Sequence, residues 1–168
     1  MFAESTSPWR TPGFEAMANA VERLIPHFDG RVAFTRFVPP ERPSGSWADY
    51  YDLWSFARGP EAQRLWELVE PWRGRPTLDL PTLSKWGLPL RAAVGGSDRI
   101  AICGVSTDCC VLATVLGAAD DGAHVRVVHD ACAAEPELHR AALEILRRRS
   151  PLVTLATVDE LAPREPAP

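Results

Sequence analysis

Residues 99–122 read RIAICGVSTDCCVLATVLGAADDG. Arg99 to Val105 is apolar and β-branched, the pattern of a buried strand. Ser106, Thr107 and Asp108 follow directly, and each is suited to cap a helix that runs to Asp121 and stops at Gly122. A buried strand passing straight into a helix is half of a βαβ unit. The C-terminal flank continues the alternation. His124 to His129 (HVRVVH) predicts a strand, Glu135 to Arg149 a helix with basic residues in its last turn, and Leu152 to Val158 a final strand. Upstream, apolar residues at helical spacing predict a helix over 13–28, followed by a strand at Arg31 to Val38 (RVAFTRFV). Residues 39–46 read as loop, and 47–56 are aromatic and ambiguous. Residues 60–72 predict a short helix, 77–80 a short strand, and 87–94 a helix closed by Gly95 and Gly96. Strands alternating with helices give a doubly wound α/β fold, with a mostly parallel sheet and helices on both faces. Ligands in such sheets bind beyond the carboxyl ends of the strands. Here that means Val38 to Pro40, Val105 to Cys110 and Asp130 to Cys132.

Composition narrows the function classes. The chain has 168 residues, 46% of them apolar and 24% charged, which is one globular domain with one core. The net charge of −4 argues against a nucleic-acid or membrane-surface partner, since either would call for a basic face. No apolar run approaches the ~20 residues of a membrane span, and the first ten residues lack the layout of a signal peptide. Four cysteines are too few for a disulfide scaffold. These features predict a soluble, cytoplasmic protein with a domain over 1–162 and a disordered Pro-rich tail over 163–168. No internal repeat is present. Tryptophan is confined to the stretch ending at Trp86, and cysteine to Cys103 through Cys132. The chain has 17 arginines and one lysine, Lys85. Either coding bias leaves that lysine behind, or one position needs a compact ammonium that a guanidinium cannot replace.

The chemistry centres on Cys110. It falls in the first turn of the predicted helix, where unpaired amides and the helix dipole lower a thiol pKa. The same amides can hold a developing oxyanion. The alternative is that Cys109 and Cys110 are both small core hydrophobes. Asp108, the acid beside them, reads as a helix cap. The histidines His27, His124, His129 and His139 do not share a ligand spacing within one element and read as surface or strand-end residues. Trp47, Tyr50, Tyr51, Trp54 and Trp86 are suited either to line a pocket or to pack.

The stretch Ile102 to Ala133 (ICGVSTDCCVLATVLGAADDGAHVRVVHDACA) resembles the signature of the isochorismatase-like cysteine hydrolases. TRF at 35–37, GSWADYYDLW at 45–54 and LSKWG at 83–87 resemble the same family, in the same order. The resemblance runs from about Phe2 to Leu161, and T-D-x-C-V at Thr107 to Val111 is its most specific part. It implies a three-layer, Rossmann-like α/β fold with Cys110 as nucleophile and Lys85 as catalytic lysine. It implies a cis peptide at Val105–Ser106 and an oxyanion hole formed by the Ser106 and Cys110 amides. No cofactor is implied. The loop VPPERPSGSW lacks the metal-binding histidines of nicotinamidases, so no metal is expected. The implied activity is hydrolysis of a small amide-type C–N bond, or of an isochorismate-like vinyl ether, through a thioester-type intermediate on Cys110. The implied partners are a small-molecule substrate and further copies of the chain in a homo-oligomer.

One part of the family pattern is absent. The family opens with a central strand ending in D-x-Q-x-x-F, whose aspartate is the general base. Phe2 matches the end of that motif, which places the aspartate five residues earlier, outside this sequence. The expectation is that Met1 is an internal methionine of a longer protein. The competing expectation is a truncated or non-catalytic homologue that binds a small molecule or partner. A thiol-redox role for Cys109–Cys110 is disfavoured, because adjacent cysteines close a strained ring and no C-x-x-C is present. A general base typically contributes ~10²–10⁴-fold. Turnover by residues 1–168 is therefore expected to fall short by that factor of the same chain preceded by a strand ending in D-x-Q-x-x. Comparing kcat for the two proteins checks this.

Overall fold

The computed structural model describes residues 1–162; the predicted tail at 163–168 lies outside the described residues. Along the chain the elements are α1 (Phe14–Leu24), β1 (Phe34–Phe37), α2 (Ser46–Leu53), α3 (Ala62–Trp66), β2 (Thr77–Leu80) and α4 (Leu88–Ala93). They continue with β3 (Arg99–Val105), α5 (Leu112–Asp120), β4 (His124–Ala133), α6 (Pro136–Arg147), β5 (Val153–Ala156) and α7 (Val158–Leu161). Strand pairing is parallel throughout, in two sheets ordered β1-β2 and β3-β4-β5. The fold is α/β, with parallel sheets flanked by helices. The chain divides into two compact units, one of Met1–Arg10 with Phe34–Thr82, the other of Thr11–Ala33 with the chain from Leu83 onward.

The second unit is built on β4. Val125, Val127 and Cys132 pack with Val115, Ala118 and Ala119 of α5 and Leu146 of α6. Val128 and Ala131 turn to the other face and pack with Leu24 of α1 and Val158 of α7. Both faces of β4 are therefore covered, which is why its sequence lacks strict polar alternation. The strand is longer than the predicted 124–129. Pairing with β3 is interrupted between Ile102 and Gly104 and then resumes, with Gly104 opposite Cys132 and Val105 opposite Ala133. Gly104 sits at φ +121, a conformation that a side chain would strain. Asp130, in the stretch predicted to meet ligand, instead accepts the Val158 amide at 2.9 and 3.2 Å and anchors the start of α7. β5 ends before Val158 because Thr157 and Glu160 form a reciprocal capping box, with bonds of 2.7 and 3.3 Å.

In the first unit, β1 and β2 are clasped by Arg36 and Asp79, opposite each other in register. The guanidinium donates to the carboxylate at 2.8 and 2.5 Å and to the Trp66 carbonyl at 2.9 Å. Phe37, Tyr51 and Ala57 are buried together. Trp9 lies 5.1–6.4 Å from the rings of Phe37, Tyr50, Trp54, Phe56 and Trp66. Trp47 and Tyr51 thus pack in this aromatic core, and Tyr50 and Trp54 lie against Trp9 at its edge. The helix predicted over 60–72 contracts to α3. The chain leaves it at Glu67 and turns so that Trp72 is buried, its ring 5.7 Å from Phe34.

Leu146 is fully buried among β4, β5 and α5 side chains. Leu146→Ala is expected to destabilise the second unit by about 2–5 kcal/mol, read as a lower urea midpoint.

Candidate active site

The site forms where β3 ends. After the cis peptide Val105–Ser106, residues Thr107–Val111 make one wide π turn before α5 begins. The Ser106 carbonyl accepts two amides, Cys109 N–H at 3.2 Å and Val111 N–H at 3.1 Å. The capping residues expected here do not cap. Ser106 donates its hydroxyl to the Asp108 carboxylate, so Asp108 is tied to its neighbour and not to the helix amides. Thr107 is fully buried, and its hydroxyl meets His139 Nδ1 of α6 at 2.8 Å. His139 is thus not the surface or strand-end histidine that its sequence suggests. A lone histidine on a helix carries no local signal for a partner 32 residues away.

Lys85 reaches the same place through a short relay. Its backbone N–H donates to Thr114 Oγ1 at 2.9 Å, and the Thr114 hydroxyl donates to the Cys110 carbonyl at 2.7 Å. The close approach depends on Gly117 of α5. A Cβ there would stand 3.3 Å from Ser84 Oγ and 3.4 Å from Trp86 Cβ. Trp86 Nε1 and Arg91 both donate to Asp121, at 3.0 and 2.6 Å, pinning the segment along α5. Lys85 is 4% exposed.

The electrostatics single out one thiol. The Cys109 thiol donates to Cys110, and this lowers the Cys110 pKa most. Burial opposes ionisation, while the Lys85 charge and the Ser106 backbone N–H at the sulfur favour it. Asp108 acts against it. Cys109 moves strongly upward, since its proton is shared with Cys110 and its site is desolvated. Burial pushes Cys103 up to about 11, and Cys132 higher still. Lys85 is lowered by burial and raised again by the two thiols. The arrangement sets a half-buried thiol beside a cation, an amide and a neighbouring thiol, all of which favour its ionisation, and this is the make-up of a nucleophile. All four cysteines are free. The sequence-derived site residues Val105, Ser106, Cys110 and Lys85 lie in one unit, and Ser106 and Lys85 both act on the Cys110 sulfur.

A family model, the isochorismatase domain, matches residues 1–160. No curated protein matches the chain. Among solved structures, the chain is similar to a cysteine hydrolase from Pseudomonas syringae pv. phaseolicola 1448A at 17% identity, over 96% of this chain and 85% of that one, with a TM-score of 0.76. An isochorismatase-like hydrolase from Alkaliphilus metalliredigens aligns at 19% identity over 95% and 90%, with a TM-score of 0.72. An N-carbamoylsarcosine amidase from Thermoplasma acidophilum aligns at 19% identity over 94% and 91%, with a TM-score of 0.68.

With limiting iodoacetamide near neutral pH, Cys110 is expected to be alkylated before the other three cysteines. Its midpoint should lie below the ordinary thiol value of about 8.5. Removing the cation in Lys85→Met should raise that midpoint by roughly 1–3 units and slow alkylation at pH 7 at least tenfold. Peptide mass mapping across a pH series checks both.

Proposed function

The chain belongs to the isochorismatase family, and from that premise we propose that it is a cysteine hydrolase cleaving the C–N bond of a small amide through a thioester on Cys110. The observation that carries this reading is the Cys110 thiol at the carboxyl end of β3, whose ionisation the Cys109 thiol, the buried Lys85 charge and the Ser106 backbone N–H all favour. The thiolate attacks the carbonyl carbon, and a C–S bond forms as the carbonyl electrons move to oxygen. As charge leaves the sulfur, the Ser106 N–H becomes available to the new oxyanion, together with the Cys110 amide. The Cys110 proton passes to water before attack; the C–N bond then breaks, and the amine takes a proton from water as it departs. Water adds to the thioester, the acid is released, and the thiol is restored. Lys85 holds its charge against the sulfur through this cycle. Its own backbone is fixed by Thr114, so its contribution is one of preorganised charge. The Thermoplasma relative named above acts on an N-carbamoyl compound, which makes small amides and carbamoyl compounds the first substrates to try.

The test combines amine release with intact mass across a panel of small amides and carbamoyl compounds. The expected result is slow release by residues 1–168, short by the ~10²–10⁴-fold that a general base supplies, with an acyl adduct on Cys110. Cys110→Ala should fall to background. Equal release by Cys110→Ala would overturn the reading. So would a wild type that alkylates at Cys110 yet releases no amine and forms no adduct with any of the panel.

A further inference from the structure

Thr107 is the most enclosed polar residue of the nucleophile turn. It is fully buried, and its hydroxyl meets His139 Nδ1 at 2.8 Å. It also sits between the two residues that organise Cys110. On one side is Ser106, whose backbone N–H favours the Cys110 thiolate and whose carbonyl closes the π turn. On the other is Asp108, bound to the Ser106 hydroxyl. A rotation at Thr107 would swing the Ser106–Thr107 peptide, whose carbonyl closes the π turn, and with it the Ser106 backbone. The ring that meets Thr107 stands on a firm base. α6 begins three residues after Ala133, which lies opposite Val105 in the sheet. His139 N–H donates to the Glu135 carbonyl at 2.8 Å, and Leu146 fixes the far end of the helix in the core.

We infer that His139 is a positioning residue: its Nδ1 accepts the Thr107 hydroxyl and so fixes the orientation in which the Ser106 N–H meets Cys110 Sγ. Burial and the nearby His129 keep the ring neutral at pH 7, which leaves Nδ1 able to accept. His139 acts through Thr107 and does not touch the sulfur. The inference deepens the reading of Cys110 as the nucleophile and rests on it.

The test uses the full chain and iodoacetamide, which needs no substrate, so a failed hydrolase assay leaves it standing. The pH midpoint of Cys110 alkylation is measured beside the urea midpoint for His139→Ala, Thr107→Val, Thr107→Ser and the double variant His139→Ala/Thr107→Val. The groups acting on this midpoint are Cys109, Lys85, Ser106 N–H and Asp108, all of which every variant retains. The expected result is a raised midpoint in His139→Ala and in Thr107→Val, with alkylation at pH 7 slowed about tenfold. Thr107→Ser, which keeps the hydroxyl, should stay near the wild type. The double variant should be no slower than the slower single one, because both changes remove the same bond. If one single variant does not fold, the other decides. An unmoved midpoint in a folded single variant, even with a lowered urea midpoint, would reduce the contact to a structural one and overturn the inference. Additive slowing in the double variant would overturn it too.

Discussion

β4 carries apolar side chains on both faces, and neither face can be left to water. Val125 and Val127 call for α5 and α6 on one side, and Val128 and Ala131 call for α1 and α7 on the other. That double burial is what makes the second unit layered. It also decides where the chemistry lies. Because β4 runs on to Ala133 beside the end of β3, α6 starts next to the turn that carries Cys110. The apolar demand of one strand thus delivers a histidine to a threonine hydroxyl.

The candidate site is an exercise in holding charge away from water. A buried thiol resists ionising, and a buried amine resists protonation. Placed together, each relieves the other, and directions of shift at Lys85 and Cys110 express this. The pair stays in register through bonded backbone. Thr114 joins the Lys85 amide to the Cys110 carbonyl, and Gly117 leaves room for that approach. A flexible lysine stem gains a fixed root in this way. Asp108 is the counterweight: its charge opposes the thiolate, and its bond to Ser106 helps shape the turn it electrostatically burdens.

The legible parts of the sequence were those governed by local rules. β3 lies where its apolar, β-branched run places it, and α1 follows its periodicity. The elements that differed were governed by distant partners. Asp130 to Ala133 is poor in β-formers and became strand because β3 pairs with it again past an irregularity. Ser106 and Thr107 have the composition of caps, but Asp108 and His139 took their hydroxyls. α3 is short because Trp72 had to be buried. The early end of β5 was readable, since T-V-D-E at Thr157 to Glu160 is a capping-box pattern. For the site, Cys110 and Lys85 were within reach of the sequence, while His139 required three dimensions.

The two units differ in their natural reporters. Trp9, Trp47, Trp54, Trp66 and Trp72 all belong to the first unit, and Trp86 alone to the second. Every cysteine belongs to the second. Indole emission is therefore dominated by the first unit, while thiol exposure registers only the second. Followed side by side during denaturation, the two signals give each half of the chain its own melting curve, with no label added.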